Sequence, residues 1–230
     1  MAQEVAAAKV AEKPRRNTAD YGYRASSVDD HGSEHVCIVG PSVDAIVVVS
    51  SINTAFGVMV ASRSTGIILN NQMNDFSWPT TRDVHGFPPA KKNYIEGGKR
   101  PMPSLSPIIM VESSGGVLFL GTATGVANTA SSLSQVLIRS LWIGHTVKQA
   151  IDAGRLHNQL IPENVVKYEK TTDSDVLHGL TKKGHHLSLE DWQGDVIALR
   201  YVGPGALYRG SYDFRTTDPG GLDGGQVPAG

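Results

Sequence analysis

The chain has 230 residues, of which 40% are hydrophobic and 19% are charged, and its formal net charge at pH 7 is −1. This length suits one substantial domain with a core of its own. The near-neutral charge gives no electrostatic reason to expect binding to nucleic acid, and we predict no such partner.

The N-terminal segment "MAQEVAAAKVAEKPRR" predicts a short helical piece that ends before Pro14, followed by a basic polar linker. A helix of this length is too short to hold alone. The segment lacks the apolar stretch of a secretory signal, and no run approaches the roughly 20 apolar residues of a membrane span. We therefore treat residues 1–28 as a flexible linker, in a chain that as written would stay in the cytosol or belong to something longer.

Strand signals begin at Glu34 and continue in the runs "HVCIV" and "AIVVVS". The intervening "GPSVD" carries turn residues at both ends, so the two runs predict a β-hairpin. The second run is apolar on both faces, which predicts a strand that is covered on both sides. The single cysteine, Cys37, lies in the first run. This position favours a buried and inert thiol over a nucleophile, and one cysteine cannot form an internal disulfide.

The middle of the chain alternates short strands with loops. "TGIILNNQMNDFSWP" predicts a short strand and then a polar loop, and residues 80–107 predict a long irregular segment rich in Pro, Gly, Lys and Asn. Long loops inside compact domains tend to be functional. "SPIIMVESSGGVLFLGTATG" predicts a second hairpin, with residues 113–116 as its turn.

Three helices are predicted in the second half of the chain. The first spans about residues 128–142, where apolar residues recur at spacings of three and four and form one stripe. Thr146 caps the second helix, which ends near Gly154. The third spans residues 173–183 and ends at Gly184, in the position that glycine usually takes after a helix.

Two strands follow the last helix, at about residues 196–201 and 206–210, and the Gly/Pro-rich tail 216–230 predicts disorder. The order of hairpins, helices and strands predicts an α+β domain in which helices cover sheets. The eight histidines are scattered and lack carboxylate or cysteine partners at ligand spacing. We therefore predict no metal site and no cofactor.

Five motifs occur in a defined order: "DDHGSEHVCIV", "SSINTAFG", "GIILNNQMNDFS", "GKRPMPSLSP" and "AGRLHNQLIP". Together they resemble the light chain of γ-glutamyltransferase, also called glutathione hydrolase, over about residues 20–215. The resemblance implies the four-layer αββα sandwich of the N-terminal nucleophile hydrolases, with residues 29–215 as the light-chain portion only. Members of this family are made as one proenzyme that cuts itself into a heavy chain and a light chain. They transfer the γ-glutamyl group of glutathione to water, an amino acid or a dipeptide.

The family nucleophile, a Thr at the new N-terminus of the light chain, falls on Ser33. The resemblance therefore implies cleavage after Gly32, which frees the α-amine of Ser33 to act as the base for its own hydroxyl. An α-amine titrates at about 7.7–8.0, close to working pH, which suits proton transfer. Without the resemblance, Gly32-Ser33 is a turn that leads into a strand.

The resemblance assigns four more site residues. Ser51 falls where the family has a second Thr whose hydroxyl supports the nucleophile, and Asn53 matches a residue that binds near the substrate's α-carboxylate. Gln72 and Asp75 match the pair that binds the α-ammonium group, which needs an acceptor or an anion. Without the resemblance, "SSIN" is a strand end and "NNQMND" is a solvated turn.

Two further parts of the site depart from the family pattern. The family holds the α-carboxylate with two adjacent Ser and a heavy-chain Arg. Here the pair is Pro103-Ser104, which lacks one hydroxyl and one backbone N–H, and the Arg has no counterpart in this sequence. The two adjacent Gly of the oxyanion hole correspond to Thr124-Gly125. Its donors are backbone N–H groups, so a side chain does not abolish them, but Thr is a poor occupant if the first position needs a positive φ.

Two functions therefore stay open. The first is a γ-glutamyltransferase light chain, which works with a heavy chain on glutathione and other γ-glutamyl compounds through a γ-glutamyl-Ser33 acyl-enzyme. The second is a binding or structural protein, a light-chain-only relative that keeps the fold and has lost efficient turnover. The departures from the family pattern at Ser33, Ser51, Pro103 and Thr124 favour this function. A related acylase is a third class, which the match to γ-glutamyl recognition disfavours. Family members face the cell exterior or the periplasm, but this chain shows no signal or anchor, so its location stays open too.

Overall fold

A computed structural model describes residues 33–54, 56–82, 86–125, 127–161, 163–190, 194–203, 207–216 and 227–228. The predicted linker 1–28 lies outside the described residues. The strands are β1 (Glu34–Val39), β2 (Ala45–Ser50), β3 (Ile108–Val111), β4 (Val117–Ala123), β5 (Leu156–Asn158), β6 (Val165–Tyr168), β7 (His186–Leu189), β8 (Val196–Gly203), β9 (Leu207–Tyr212) and β10 (Val227–Pro228). The α-helices are α1 (Thr129–Ile138), α2 (Val147–Asp152) and α3 (Ser174–Lys182). A π-helical turn, Arg139–Ile143, continues α1, and 3₁₀ turns span Gln72–Asp75, Lys91–Asn93 and Phe214–Thr216.

The largest sheet has five strands in the order β10-β9-β8-β4-β3, and its neighbouring strands are antiparallel. Helices α1 and α2 pack on one face of this sheet, where the hydrophobic core lies. The buried core residues are Phe119, Ala123, Leu133, Val136, Val147, Ala150, Ile151, Val196 and Ala198. The β1–β2 hairpin contacts β3, β4 and β8 of the same sheet. Among the described residues, helices, five-stranded sheet and hairpin thus form three layers of an α+β sandwich.

Both predicted hairpins and all three predicted helices are confirmed. Helix α2 begins with a capping box, in which the Thr146 hydroxyl accepts from the Gln149 N–H and the Gln149 side chain accepts from the Thr146 N–H. This reciprocal pair satisfies two N–H groups that a helix start leaves without partners. Gly184 follows the C-terminal end of α3 and has a φ of +85°, a conformation that suits glycine. Among the described residues, no helix has the length and apolar character that a membrane crossing requires.

The two faces of the β1–β2 hairpin differ in exposure. Side chains alternate along each strand, and the inner-face residues His35, Cys37, Val47 and Val49 are half-buried. The outer-face residues are 43–51% exposed; they are Val36, Ile38, Ile46 and Val48. The prediction that β2 is covered on both sides is therefore wrong for the described chain. The reason is that the five-stranded sheet covers only the inner face.

Two other sequence predictions need correction, and one sheet was missed. The predicted strand in "TGIILNN" forms only an isolated bridge, Ala61 to Ile68, because the chain reverses tightly between Ser62 and Ile67. A second sheet, in the order β5-β6-β7, was not predicted, because its strands are only three or four residues long. In the tail, Val227–Pro228 pairs with β9; the other residues after position 216 lie outside the described residues.

A buried ionic cluster joins the residues after α2 to β6 and to the end of β9. Arg155 and Asp213 form an ion pair whose side chains are completely buried. Arg215 adds contacts to Asp213 Oδ1 at 2.9 Å and to Glu169 Oε1 at 2.5 Å. Glu169 also accepts from the Arg155 N–H at 2.7 Å. Since buried charges must be paired, this cluster fixes the C-terminal end of the large sheet against the small one.

We expect Asp213→Ala to lower the free energy of unfolding by about 3–5 kcal/mol, because it leaves buried Arg155 without its carboxylate. Glu190→Ala is the matched surface control. It removes the partner of Lys167 from an ion pair at 3.5 Å whose side chains are 49% and 43% exposed, and should cost less than about 1 kcal/mol. Urea unfolding of the parent and both variants measures the two losses, and equal losses would contradict this account.

Candidate active site

Ser33 lies at the head of β1, directly before Glu34. The hairpin pairs Glu34 with Ser50, so one further step of the same register sets Ser33 opposite Ser51. The Ser33 hydroxyl oxygen is shielded from solvent and has no hydrogen-bond partner among the described residues. A buried hydroxyl without a partner costs about 1–3 kcal/mol. The Thr122 and Thr172 hydroxyls also lack a partner among the described residues, so Ser33 is distinguished by its place at the head of β1, opposite Ser51.

The turn after β2 places Ser51 and Asn53 beside the segment that carries the 3₁₀ turn Gln72–Asp75. The Ser51 hydroxyl accepts a hydrogen bond from the Asn53 N–H at 2.9 Å. Asn53 is buried at a φ of +70°, a conformation that Asn tolerates better than most residues. Its side-chain amide donates to the Asn71 carbonyl at 3.1 Å, and the Thr54 N–H donates to the Asn71 side chain at 3.0 Å. Residues 51–54 are therefore held against residues 70–72.

Gln72 and Asp75 lie at the two ends of this 3₁₀ turn. The Gln72 amide donates to the buried Asp75 carboxylate. The Asn93 side chain donates to the Asp75 carbonyl at 2.7 Å and to Ser77 Oγ at 3.3 Å, which anchors the turn on the long irregular segment. An anchored carboxylate of this kind can bind an ammonium group. The structure thus brings together Ser51, Asn53, Gln72 and Asp75 as neighbouring segments.

Thr124 and Gly125 follow β4 directly. The Thr124 N–H donates to the Asp195 carbonyl at 3.0 Å, which continues the pairing of β4 with β8 by one residue. That N–H is therefore already bonded within the protein, which conflicts with the predicted use of Thr124 as an oxyanion donor. The positive φ of this turn, +124°, falls on Gly125 and not on Thr124. Thr124 therefore carries none of the backbone strain that a positive φ would impose on a residue with a side chain.

Asp195 was not predicted as part of the site. Its carboxylate accepts from the Thr124 hydroxyl and lies 3.3 Å from His35 Nε2. His35 follows Ser33 by two residues, so both side chains lie on the same face of β1. Burial alone would raise the pKa of Asp195, but the hydrogen bonds from His35 and Thr124 hold it below its usual value. Strand alternation could have placed His35 beside Ser33, whereas no sequence signal connects it to Asp195.

Ser104 is carried by a third segment, the irregular stretch before β3. It is half-buried, and the Leu105 N–H beside it donates to the Pro103 carbonyl at 3.1 Å. Cys37 lies in β1, and burial raises the pKa of its thiol to about 11, which suits the predicted inert role. Within the described part of the chain, no group of three or more His, Cys, Asp or Glu side chains could hold a metal ion.

The family model for γ-glutamyltranspeptidase matches residues 1–220 of this sequence. The chain belongs to the γ-glutamyltranspeptidase family. Scoloptoxin SSD20 of Scolopendra dehaani is 38% identical over 191 residues, which cover 83% of this chain and 95% of that protein. Glutathione hydrolase 3 of Arabidopsis thaliana is 35% identical over 176 residues, which cover 73% of this chain and 27% of that protein.

Solved structures of the family confirm the α+β fold of N-terminal nucleophile hydrolases. An acivicin-inhibited γ-glutamyltranspeptidase superposes with a TM-score of 0.71 at 28% identity, over 79% of this chain and 98% of that chain. The T380A mutant of the Helicobacter pylori γ-glutamyltranspeptidase gives a TM-score of 0.70 at 28% identity, over 79% and 99%. Some relatives are much longer: this chain spans 34% of Scoloptoxin SSD14 of Scolopendra dehaani, at 38% identity.

We expect Asp195→Asn to lower the melting temperature at pH 5 to 7 and to do so less at pH 3. A carboxyl whose folded pKa lies below its unfolded value stabilises the fold above the unfolded pKa, about 3.9, and loses this effect as the pH falls through the folded pKa. Thermal unfolding across this pH range measures the difference, with the exposed Asp175→Asn as a control substitution. A difference from the parent that is the same at pH 7 and pH 3 would contradict the account.

Proposed function

We propose that this chain is the light chain of a γ-glutamyltransferase, or glutathione hydrolase, with Ser33 as its nucleophile. The observation that carries the proposal is the shielded Ser33 hydroxyl without a described partner, at the head of β1 and opposite Ser51. The resemblance of the surrounding motif places the family nucleophile at this residue. Residues 29–215 would form the light-chain domain, and cleavage after Gly32 would release the segment before Ser33.

The chemistry begins with that cleavage, since the nitrogen of Ser33 is an amide until then and cannot act as a base. The freed α-amine takes the proton from Oγ as Oγ attacks the γ-carbonyl carbon of glutathione. The C–N bond to cysteinylglycine then breaks, its amine leaves with the proton, and a γ-glutamyl ester remains on Ser33. Attack on this ester by water gives glutamate, whereas attack by an amino acid or a dipeptide amine gives a new γ-glutamyl amide.

Substrate recognition would use three segments, which carry Asn53, the turn Gln72–Asp75 and Ser104. The Asp75 carboxylate, oriented by Gln72, would bind the α-ammonium group, and Asn53 and Ser104 would bind the α-carboxylate. Because the Thr124 N–H is bonded to Asp195, the oxyanion would depend on the Gly125 N–H. The loss of one oxyanion donor typically costs about 10²–10³ in rate, so we expect slow turnover.

The exposed apolar surface supports a heavy chain as the proposed partner. The outer face of the hairpin presents a row of apolar side chains. Residues 56–69 expose a second set, which comprises Phe56, Val58, Met59, Val60, Ile67, Ile68 and Leu69. Large contiguous apolar surface on a folded domain indicates an interaction site. Two longer relatives, of which the match covers only 34% and 27%, contain chain that could cover it.

The alternative is a binding or structural protein with the same fold. The bonded Thr124 N–H and the Pro103 substitution favour it, since both remove donors that the family uses. A relative of about this chain's size also exists, because Scoloptoxin SSD20 is matched over 95% of its length. Self-cleavage separates the two functions, since a purely structural light chain has no need to free the amine of Ser33.

We expect the purified protein to yield a fragment that begins at Ser33 on incubation, because the same hydroxyl that attacks substrate can attack the preceding carbonyl. Ser33→Ala should abolish the fragment, and Ser33→Thr, which restores the family residue, should give it at least as fast as the parent. Intact mass and N-terminal sequencing measure this. A parent that stays uncut, or a Ser33→Ala variant cut at the same bond, would refute the proposal.

We expect Val48→Asp to reduce association with the heavy-chain part of a family proenzyme by at least about tenfold, because it sets an unpaired charge in the apolar outer face. Val176→Asp is the matched control, since the two valines are 43% and 44% exposed and Val176 lies on α3. Co-purification with a tagged heavy chain after co-expression measures retention of each variant. Equal retention of both would show that the hairpin face is not the contact.

A further inference from the structure

Asp195 joins the head of β1 to the end of β4 through three polar contacts. His35 Nε2 lies 3.3 Å from one of its carboxylate oxygens, and the Thr124 hydroxyl donates to the other. The Thr124 N–H donates to the backbone carbonyl of the same residue at 3.0 Å. The His35 and Asp195 side chains are only 12% and 16% exposed. We refer to His35, Thr124 and Asp195 as the latch.

Gly194 independently shows how closely this segment packs on the turn after β4. Its φ is +93°, and a Cβ atom built there would lie 2.3 Å from the Thr124 carbonyl oxygen and 2.8 Å from Gly125 Cα. Real Cβ atoms do not approach backbone so closely, so only glycine fits at this position. Residues 194 and 195 therefore support the Thr124–Gly125 turn in two ways, by close backbone packing and through the Asp195 carboxylate.

We propose that the latch positions the Thr124–Gly125 turn relative to Ser33, so that the Gly125 N–H serves as the oxyanion donor; this inference rests on the proposed function. Within the latch, His35 is the residue nearest to Ser33 along the chain, and the side chains of His35 and Ser33 lie on the same face of β1. The Thr124 hydroxyl is the contact particular to this chain, since the family pattern has Gly there and Gly offers no side chain to Asp195. The three latch residues act through the turn and are positioning residues.

The size of the effect follows from the geometry that catalysis requires. An oxyanion donor acts at about 2.7–3.1 Å from the developing charge, and a misplacement of about 1 Å can cost roughly 10²-fold in rate. The groups proposed to bind the substrate's ammonium and carboxylate lie on other segments, around Asn53 and Asp75. Loss of the latch should therefore lower kcat and leave KM almost unchanged.

The test compares Thr124→Val, which removes the hydroxyl at nearly constant shape, with Thr124→Ser, which keeps it. With heavy chain supplied and γ-glutamyl-p-nitroanilide as substrate, we expect the Val variant to lose at least about tenfold in kcat with KM within about twofold. The Ser variant should recover most of that loss. Thr181→Val, the same change at an exposed helical hydroxyl on α3, should match the parent.

Amide hydrogen exchange provides a readout that needs no catalysis. Thr124→Val should speed exchange at residues 124 and 125 and near His35, whereas Thr124→Ser should not. If the parent neither cleaves itself nor turns over, the proposed function fails, and faster exchange in the Val variant still supports the latch. Unchanged exchange in that variant overturns the latch in either case. In an active parent, faster exchange with unchanged kcat, or a rise in KM alone, also overturns it.

Discussion

The packing of the β1–β2 hairpin on the five-stranded sheet decides where the candidate nucleophile lies. Alternation along β1 turns Ser33 and His35 toward that sheet, and the antiparallel register sets Ser51 opposite Ser33. A slip of one residue would turn the candidate nucleophile to the outer face, away from the turn after β4. The contact between His35 and Asp195 counters such a slip, because it joins the head of the strand to a fixed point before β8.

Residues that depart from the family pattern lie both on the hairpin and on the turn after β4. As the proposed nucleophile, Ser33 has a hydroxyl but lacks the methyl group that restricts χ1 in Thr, so the direction of its hydroxyl depends more on its surroundings. Thr124 gains a side-chain contact to Asp195 while its N–H is bonded to the same residue. The result is a site with fewer free donors but a more firmly held turn. Slow chemistry on an intact scaffold is the physical outcome that we expect.

The sequence predicted those elements that short stretches of neighbouring residues specify. The hairpin from Glu34, the helix cap at Thr146 and the glycine after α3 are each specified by a few neighbouring residues. The second sheet was missed because its strands are short and one of its pairings, β6 with β7, joins strands separated by a helix. Asp195 was missed because it lies far along the chain from both His35 and Thr124, and only the folded topology brings the three together.

The arrangement of exposed surface gives the chain its proposed place in a larger assembly. Helices cover one face of the five-stranded sheet and the hairpin covers the other, but the outer face of the hairpin is apolar and exposed in the described chain. A fourth layer from a heavy chain would complete the αββα sandwich of the family. It would also shield the site from water, which strengthens the charged contacts to a bound substrate.

Identification of the acylated residue tests the central claim most directly. The protein is incubated with glutathione and a heavy chain, quenched in acid during turnover, digested and mapped by tandem mass spectrometry. We expect a γ-glutamyl ester on the N-terminal residue of a peptide that starts at Ser33. Turnover accompanied by a modification at any other residue, or by an unmodified and uncut Ser33 peptide, would contradict it.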